Sequence, residues 1–313
     1  MRESDPHCWA RPATILVATD LSDLDHLMPF AMEQARETGA RLILFHVVSV
    51  SAAVTADVSG MPYYDAAGAI EISEQMMKPW CDLASKDGIQ CDALVREGHP
   101  TEQIAAAVRQ FQAARVLAGT RSRSKVGKLL IGSVAEQVLR SIYIPVITVG
   151  PEAHLAAPGV ERVVLHATTL QETSRPSAAL ACQIAATQNA TLVLLHVQPP
   201  VSELERKRQP TWMDSTAMDE LRQLAAETGA GCCSQVEPVV AHGNPAIEIL
   251  ALAQERKANL IVLGATQRSA FRNLTRDRTV YRVLAHARCP VLTLREPQIM
   301  PEHRHHEGAA AHQ

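Results

Sequence analysis

The chain has 313 residues, 47% of them apolar, and sets 30 basic against 33 acidic side chains for a net charge of −3. That length fits two domains of about 150 residues, and cations scattered among acids exclude a dedicated nucleic-acid surface. Met1 to Pro12 is charged and lacks an apolar signal core, and no apolar run nears the ~20 residues that span a bilayer, so a soluble, cytoplasmic protein is expected.

In chain order, Thr14 to Ala18 is a short β-branched and apolar run, too short for a helix and suited to a buried parallel strand. Ser22 is a candidate N-cap for a helix carrying Leu24, Leu27, Met28, Ala31 and Ala35, which Gly39 stops. Leu42 to Val48 is the next strand. A loop through Met61 leads to a helix around Ile72 to Lys86, which Pro79 should kink or begin. Strand Asp92 to Val95, helix Thr101 to Ala113, strand Arg115 to Ala118, a basic loop, helix Ser133 to Ser141 and strand Pro145 to Val149 follow. Alternating strands and helices imply a doubly wound parallel sheet.

The chain then repeats itself. Residues 31–47, AMEQARETGARLILFHV, align with 181–197, ACQIAATQNATLVLLHV; Gly98-His-Pro answers Gly243-Asn-Pro, Val116 to Gly119 answers Ile261 to Gly264, and Ile144-Pro-Val answers Cys289-Pro-Val. One unit is expected over residues 1–151 and a second over 160–296, with Pro151 to Gly159 as linker and 297–313 as a disordered His-rich tail. The seven cysteines form no C-x-x-C pair and are odd in number, so reduced thiols are expected, the vicinal Cys232 and Cys233 included.

Doubly wound sheets bind ligands beyond the carboxyl ends of their strands. Asp20 follows the first strand, and Gly119 opens a loop with Arg121, Arg123, Lys125 and Lys128 that leads to Gly132 and a helix. Glycines permit positive φ and close approach, and helix-start amides attract anions, which suits a nucleotide. A ligand-free reading stands beside it: Ser133 and Glu136 have the S-x-x-E spacing of a capping box, and on spacing alone that reading leads. Asp20 likewise has a structural role open to it, capping the helix after the first strand. His46 and His196 occupy matching strand positions and are read as packing residues. No P-loop and no acid, base and nucleophile cluster suggests efficient catalysis.

Taken together, Ile-Leu-Val-Ala-Thr-Asp20, Leu-Phe-His46-Val, Gly98-His-Pro, Gly119-(x12)-Gly132-Ser-Val-Ala-Glu-Gln-Val-Leu and Ile144-Pro-Val-Ile-Thr-Val resemble the universal stress protein family over nearly all of both units. The resemblance implies an α/β fold of two repeated doubly wound parallel-sheet domains, five-stranded and adenine-nucleotide alpha-hydrolase-like. It further implies a stress-response protein that binds ATP, with or without magnesium, in unit one, with hydrolysis slow at most. The alternative is a nucleotide-free interaction scaffold of the same fold. By resemblance, Thr19 and Asp20 would meet adenine or ribose, Val47 the adenine, Gly119 and Ser122 the phosphate turn, and Gly132, Ser133 and Val134 the phosphate oxygens. Arg121 and Arg123 are added because guanidinium groups pair well with phosphate. Ser122 replaces one of the three glycines of the family's nucleotide motif, at about 1 kcal/mol where positive φ is needed. No metal-ligating residues are assigned.

Unit two departs further. Thr168 is read at the place of Asp20, and Asp277-Arg278 replaces Gly132-Ser133, so no ATP is expected there. Last strands pairing edge to edge would make the chain its own pseudo-dimer, with further pairing of two chains open; neither nucleic acid nor membrane is expected as a partner.

Overall fold

A computed structural model describes residues 9–49, 54–56, 62–120, 132–157, 159–199, 212–229, 233, 235–266 and 278–296. The first unit runs β1 (Thr14–Thr19), α1 (Leu24–Thr38), β2 (Arg41–Val48), a short antiparallel hairpin β3 (Val54–Ala56) and β4 (Pro62–Tyr64), α2 (Ala66–Lys86), β5 (Cys91–Glu97), α3 (Pro100–Gln110), β6 (Arg115–Gly119), α4 (Ser133–Ser141) and β7 (Val146–Val149). The second repeats it with β8 (Val163–Thr168), α5 (Arg175–Gln188), β9 (Thr191–Gln198), α6 (Trp212–Glu227), β10 (Gln235–His242), α7 (Pro245–Glu255), β11 (Leu260–Thr266), α8 (Arg278–His286) and β12 (Val291–Glu296).

All ten long strands join one sheet, ordered β10-β9-β8-β11-β12-β7-β6-β1-β2-β5. Within this sheet, neighbours of the same unit are parallel and the one antiparallel pair is β7 with β12, where Thr148 faces Val291 and Ile147 faces Leu292. The doubly wound, repeated architecture is therefore as expected, and each unit's last strand covers the other's edge. Central strands read as continuous apolar runs because both faces are covered. α1, α2, α5 and α6 close one face around Met28, Met77, Leu180 and Leu221; α3, α4, α7 and α8 close the other around Ile104, Val138, Ile249 and Val283.

Two groups of polar contacts also join the units. The guanidinium of Arg162, just before β8, pairs with Glu37 and, at 3.0 Å, with Glu33 on α1, and Gln188 donates to Glu37 at 2.6 Å. Arg295 of β12 donates to the Arg140 carbonyl at 2.6 Å and lies 4.3 Å from the centre of the Tyr143 ring.

Local departures from expectation have physical causes. α2 begins at Ala66, where the Asp65 carboxylate accepts from the Gly68 amide, and it runs through Pro79. Pro79 is exposed, so water can serve the carbonyl its missing N–H leaves. The N-cap of α1 is Asp23 rather than Ser22. Gly39 does end α1, in the left-handed region at φ 72°.

Candidate functional site

β1 and β6 end side by side at the carboxyl edge of unit one. With β2, α3 and the start of α4 they enclose a cavity of about 210 Å³. Phe45, Val47, Ile104 and Val138 supply an apolar side, and Thr19, Asp20, Asp23, His46, Gly119, Gly132 and Val134 also line it. Six of the residues expected from the sequence thus meet: Thr19, Asp20, Val47, Gly119, Gly132 and Val134. Arg121, Ser122 and Arg123 lie outside the described residues, as do Lys125 and Lys128; Ser133 begins α4, and its side chain is outside the description.

The rim is held by short-range bonds. Asp20 does not cap α1; its Oδ1 accepts from the Ser22 amide at 2.9 Å and the Ser22 hydroxyl at 2.6 Å, closing a turn ahead of the helix. Thr19 Oγ1 accepts from the Leu21 amide at 2.9 Å and donates to Asp23 Oδ1 at 2.7 Å. This turn forces Leu21 to φ 71°, a conformation costly for a branched side chain. His46 Nδ1 sits 2.9 Å from the Thr19 carbonyl and binds the ends of β1 and β2 together.

Asp23 is the member that sequence reasoning missed. It is buried, and burial raises its carboxyl pKa above the ordinary value, with the Thr19 hydroxyl working against that and the charge of Asp20 adding to it. Its carboxylate lies where a Cβ on Gly119 would go. The available signal was an acid three residues after Asp20, at a helix start.

The glycines act differently from expectation. Neither Gly119 nor Gly132 has positive φ; Gly132 is the extended N-cap of α4 at φ −59°, ψ 144°. Gly119 is needed for close approach, to Asp23. The capping box also fails. Ser133 is the first helical residue rather than the N-cap, the N-cap is Gly132, which has no side chain to offer, and Glu136 pairs with Arg140 at 2.7 Å. The start of α4 therefore opens on the cavity with a glycine at its N-cap, and helix-start amides attract anions.

In unit two, a cavity of about 400 Å³ occupies the equivalent edge, with Thr168, Thr169, Ser174, His196, Val197 and Gly264 in its wall. The register corrects the reading of Thr168. β1 places Thr19 opposite His46, and β8 places Thr168 opposite His196. His196 Nδ1 meets the Thr168 carbonyl at 3.0 Å, and the Leu170 amide donates to Thr168 Oγ1 at 3.1 Å with Leu170 at φ 61°. Thr168 is thus the counterpart of Thr19, and Thr169 stands at the place of Asp20. Asp277 lies outside the described residues. Among the described residues no group of three His, Cys, Asp or Glu side chains could hold a metal, and no helix is long and apolar enough to cross a membrane.

Comparison with known proteins agrees with the repeat. The universal stress protein family profile matches residues 13–150 and again 161–295. A universal stress protein of Methanocaldococcus jannaschii is 30% identical over 82 residues, 26% of this chain and 46% of that protein. One from Mycobacterium bovis is 28% identical over 244 residues, covering 75% of each chain. The crystal structure of a universal stress protein from Archaeoglobus fulgidus superposes with a TM-score of 0.69 at 20% identity, over 91% of this chain and 97% of that one, a likeness of fold. With both of its α/β units matched, the chain belongs to the universal stress protein family and carries that family's domain twice.

Proposed function

We propose that unit one binds ATP in the cleft between β1, β2 and α4, and that the protein is a cytoplasmic stress-response regulator whose surface reports occupancy of that cleft. One observation carries the reading: Thr19, Asp20, Val47, Gly119, Gly132 and Val134 border a single cavity at the carboxyl edge of a doubly wound sheet. Adenine would lie against Phe45, Val47, Ile104 and Val138. Asp20 would accept from ribose hydroxyls, and the phosphates would run past Gly119 toward the start of α4 and, outside the described residues, Ser122, Arg121 and Arg123. Ser133 at the head of α4 belongs to the same phosphate end. A magnesium ion would arrive on the phosphates. Among the described residues of the cleft wall no nucleophile and base are paired, and in this reading hydrolysis is slow at most and the role is sensing.

The second reading, a nucleotide-free scaffold, is favoured by one observation. The buried carboxylate of Asp23 sits beside Gly119, where a phosphate would have to pass, and the cavity of about 210 Å³ is below the ~300 Å³ usual for a small-molecule site. Equilibrium binding of labelled ATP to the wild type and to Gly132→Asp separates the two. Saturable binding by the wild type, weakened at least tenfold in the variant, supports the ATP site, and negligible binding by both establishes the scaffold.

A further inference from the structure

The Sγ atoms of Cys81 and Cys91 lie 2.8 Å apart, on the opposite face and at the opposite end of the sheet from the cleft. Cys81 is on the buried side of α2, and Cys91 is the first residue of β5, the outermost strand of unit one. The turn between them is tightly set. Asp87 caps α2 and pairs with Arg36 at 2.5 Å, Gly88 takes φ 76°, and the Ile89 amide donates to the Ala84 carbonyl at 2.9 Å. Two thiols held at this separation need a shift of only about 1 Å to reach the ~2.05 Å of a disulfide.

The fold does not require sulfur at either position. In unit two the buried positions of α6, the helix equivalent to α2, are the aliphatic Ala217, Leu221, Leu224 and Ala225, with no cysteine among them. Val236 pairs with Leu192 as Cys91 pairs with Leu42, and both Cys91 and Val236 pack against the same core. Aliphatic side chains thus meet the packing need at these two positions.

We propose that Cys81 and Cys91 are a reversible dithiol–disulfide site, oxidised by peroxides, that locks α2 to the edge strand β5. Either thiol of the pair can donate to the other, and this hydrogen bond holds the Cys81 pKa down, with the charge of Lys78 helping and burial, Asp92 and Asp82 opposing. Cys81 is therefore the attacking sulfur. Its thiolate attacks one peroxide oxygen; an S–O bond forms, the O–O bond breaks, and the leaving oxygen departs as water or an alcohol after taking a proton. Cys91 then attacks the sulfenic sulfur; the S–S bond forms, the S–O bond breaks, and water leaves with the Cys91 proton. Two electrons pass from the two thiols to the peroxide. Cys91 is partly exposed and Cys81 is 9% exposed, so a small oxidant can reach the pair while bulkier ones are kept out.

The test uses the full-length reduced protein and a slight excess of hydrogen peroxide, followed by alkylation and non-reducing peptide mapping. The expected product is a Cys81–Cys91 linked peptide that forms several-fold faster than thiols are lost at Cys182 and Cys289, and that dithiothreitol reverses. In Cys91→Val, which copies unit two, the link is absent. Cys81 and Cys91 that alkylate in the oxidised wild type as fast as Cys289, or a link formed at Cys232 and Cys233 instead, would overturn the proposal. Since the wild-type map decides the matter, a variant that folds poorly leaves the result standing.

Discussion

The carboxylate of Asp23 occupies the volume that any side chain at residue 119 would need: a Cβ added to Gly119 overlaps Asp23 Oδ2. The contact joins the start of α1 to the end of β6, 96 residues apart in sequence, and the strand backbone around Gly119 cannot retreat without breaking its pairing with β7. Gly119→Ala is therefore expected to cost about 1–3 kcal/mol, as overpacking does. Asp23→Ala in the same chain should recover most of that. A double-mutant cycle in urea measures the coupling, and additive single effects would show that the overlap is relieved elsewhere.

Asp23 also predicts a pH dependence. Burial raises its folded pKa above the 3.8 of the free side chain. Its contribution to stability is therefore whole below 3.8 and is lost as pH rises through the folded value, because ionisation is easier in the unfolded chain. Asp23→Asn keeps an oxygen to accept from Thr19 and removes the buried charge. The variant should match the wild type near pH 3 and exceed it in stability at pH 7, read from denaturation midpoints. A difference that does not change with pH would contradict this account.

Much of this was legible in the chain before any coordinates. The apolar runs Thr14 to Ala18 and Leu42 to Val48, separated by a helical pattern that Gly39 stops, and the repeat of 31–47 in 181–197, dictate strands and helices in the order of a doubly wound sheet. Side-chain registration was less legible. Thr168 was placed one residue away from its counterpart, and in a strand a slip of one residue carries a side chain to the other face. Only the opposition of Thr168 to His196 sets Thr169 at the position of Asp20. Asp23 escaped notice because its burial depends on β6, which reaches it through long-range pairing with β1. The Cys81 and Cys91 contact has the same origin: a spacing of ten residues is no motif until the end of α2 folds back onto β5.

The seam between units offers a third prediction. Arg162 holds Glu33 and Glu37 across it, with side-chain exposures of 30%, 24% and 14%. Partial solvation limits such a pair, so Arg162→Met is expected to cost about 1 kcal/mol. Glu37→Gln should cost a similar amount, and the double variant less than the sum, since either change removes the same bond. Because β7 and β12 remain paired, the two units should still unfold in one transition. Separated transitions in the double variant would make the ion pair, rather than the strand pairing, the main coupling between them.

His166 supplies the last prediction. It is 0% exposed in β8, its Nδ1 lies 3.0 Å from the Val262 carbonyl, and no partner among the described residues meets Nε2. The carbonyl requires a proton on Nδ1, so the ring is neutral with a bare Nε2, and burial pushes its pKa down to about 4 from the ordinary 6.5. Above 6.5 both folded and unfolded chains carry the neutral ring, and the group leaves stability unchanged. Between 6.5 and about 4 the unfolded chain takes up a proton that the folded chain refuses, so stability falls with pH across that window. One pH unit of differential protonation is worth about 1.4 kcal/mol, which makes the full loss about 3 kcal/mol. Urea titrations of the wild type and His166→Leu at pH 7, 5.5 and 4 isolate it: other acids titrate equally in both chains, so the difference belongs to residue 166. The leucine variant should lose less stability than the wild type as pH falls, and parallel profiles would mean that the ring charges as readily in the folded protein as outside it.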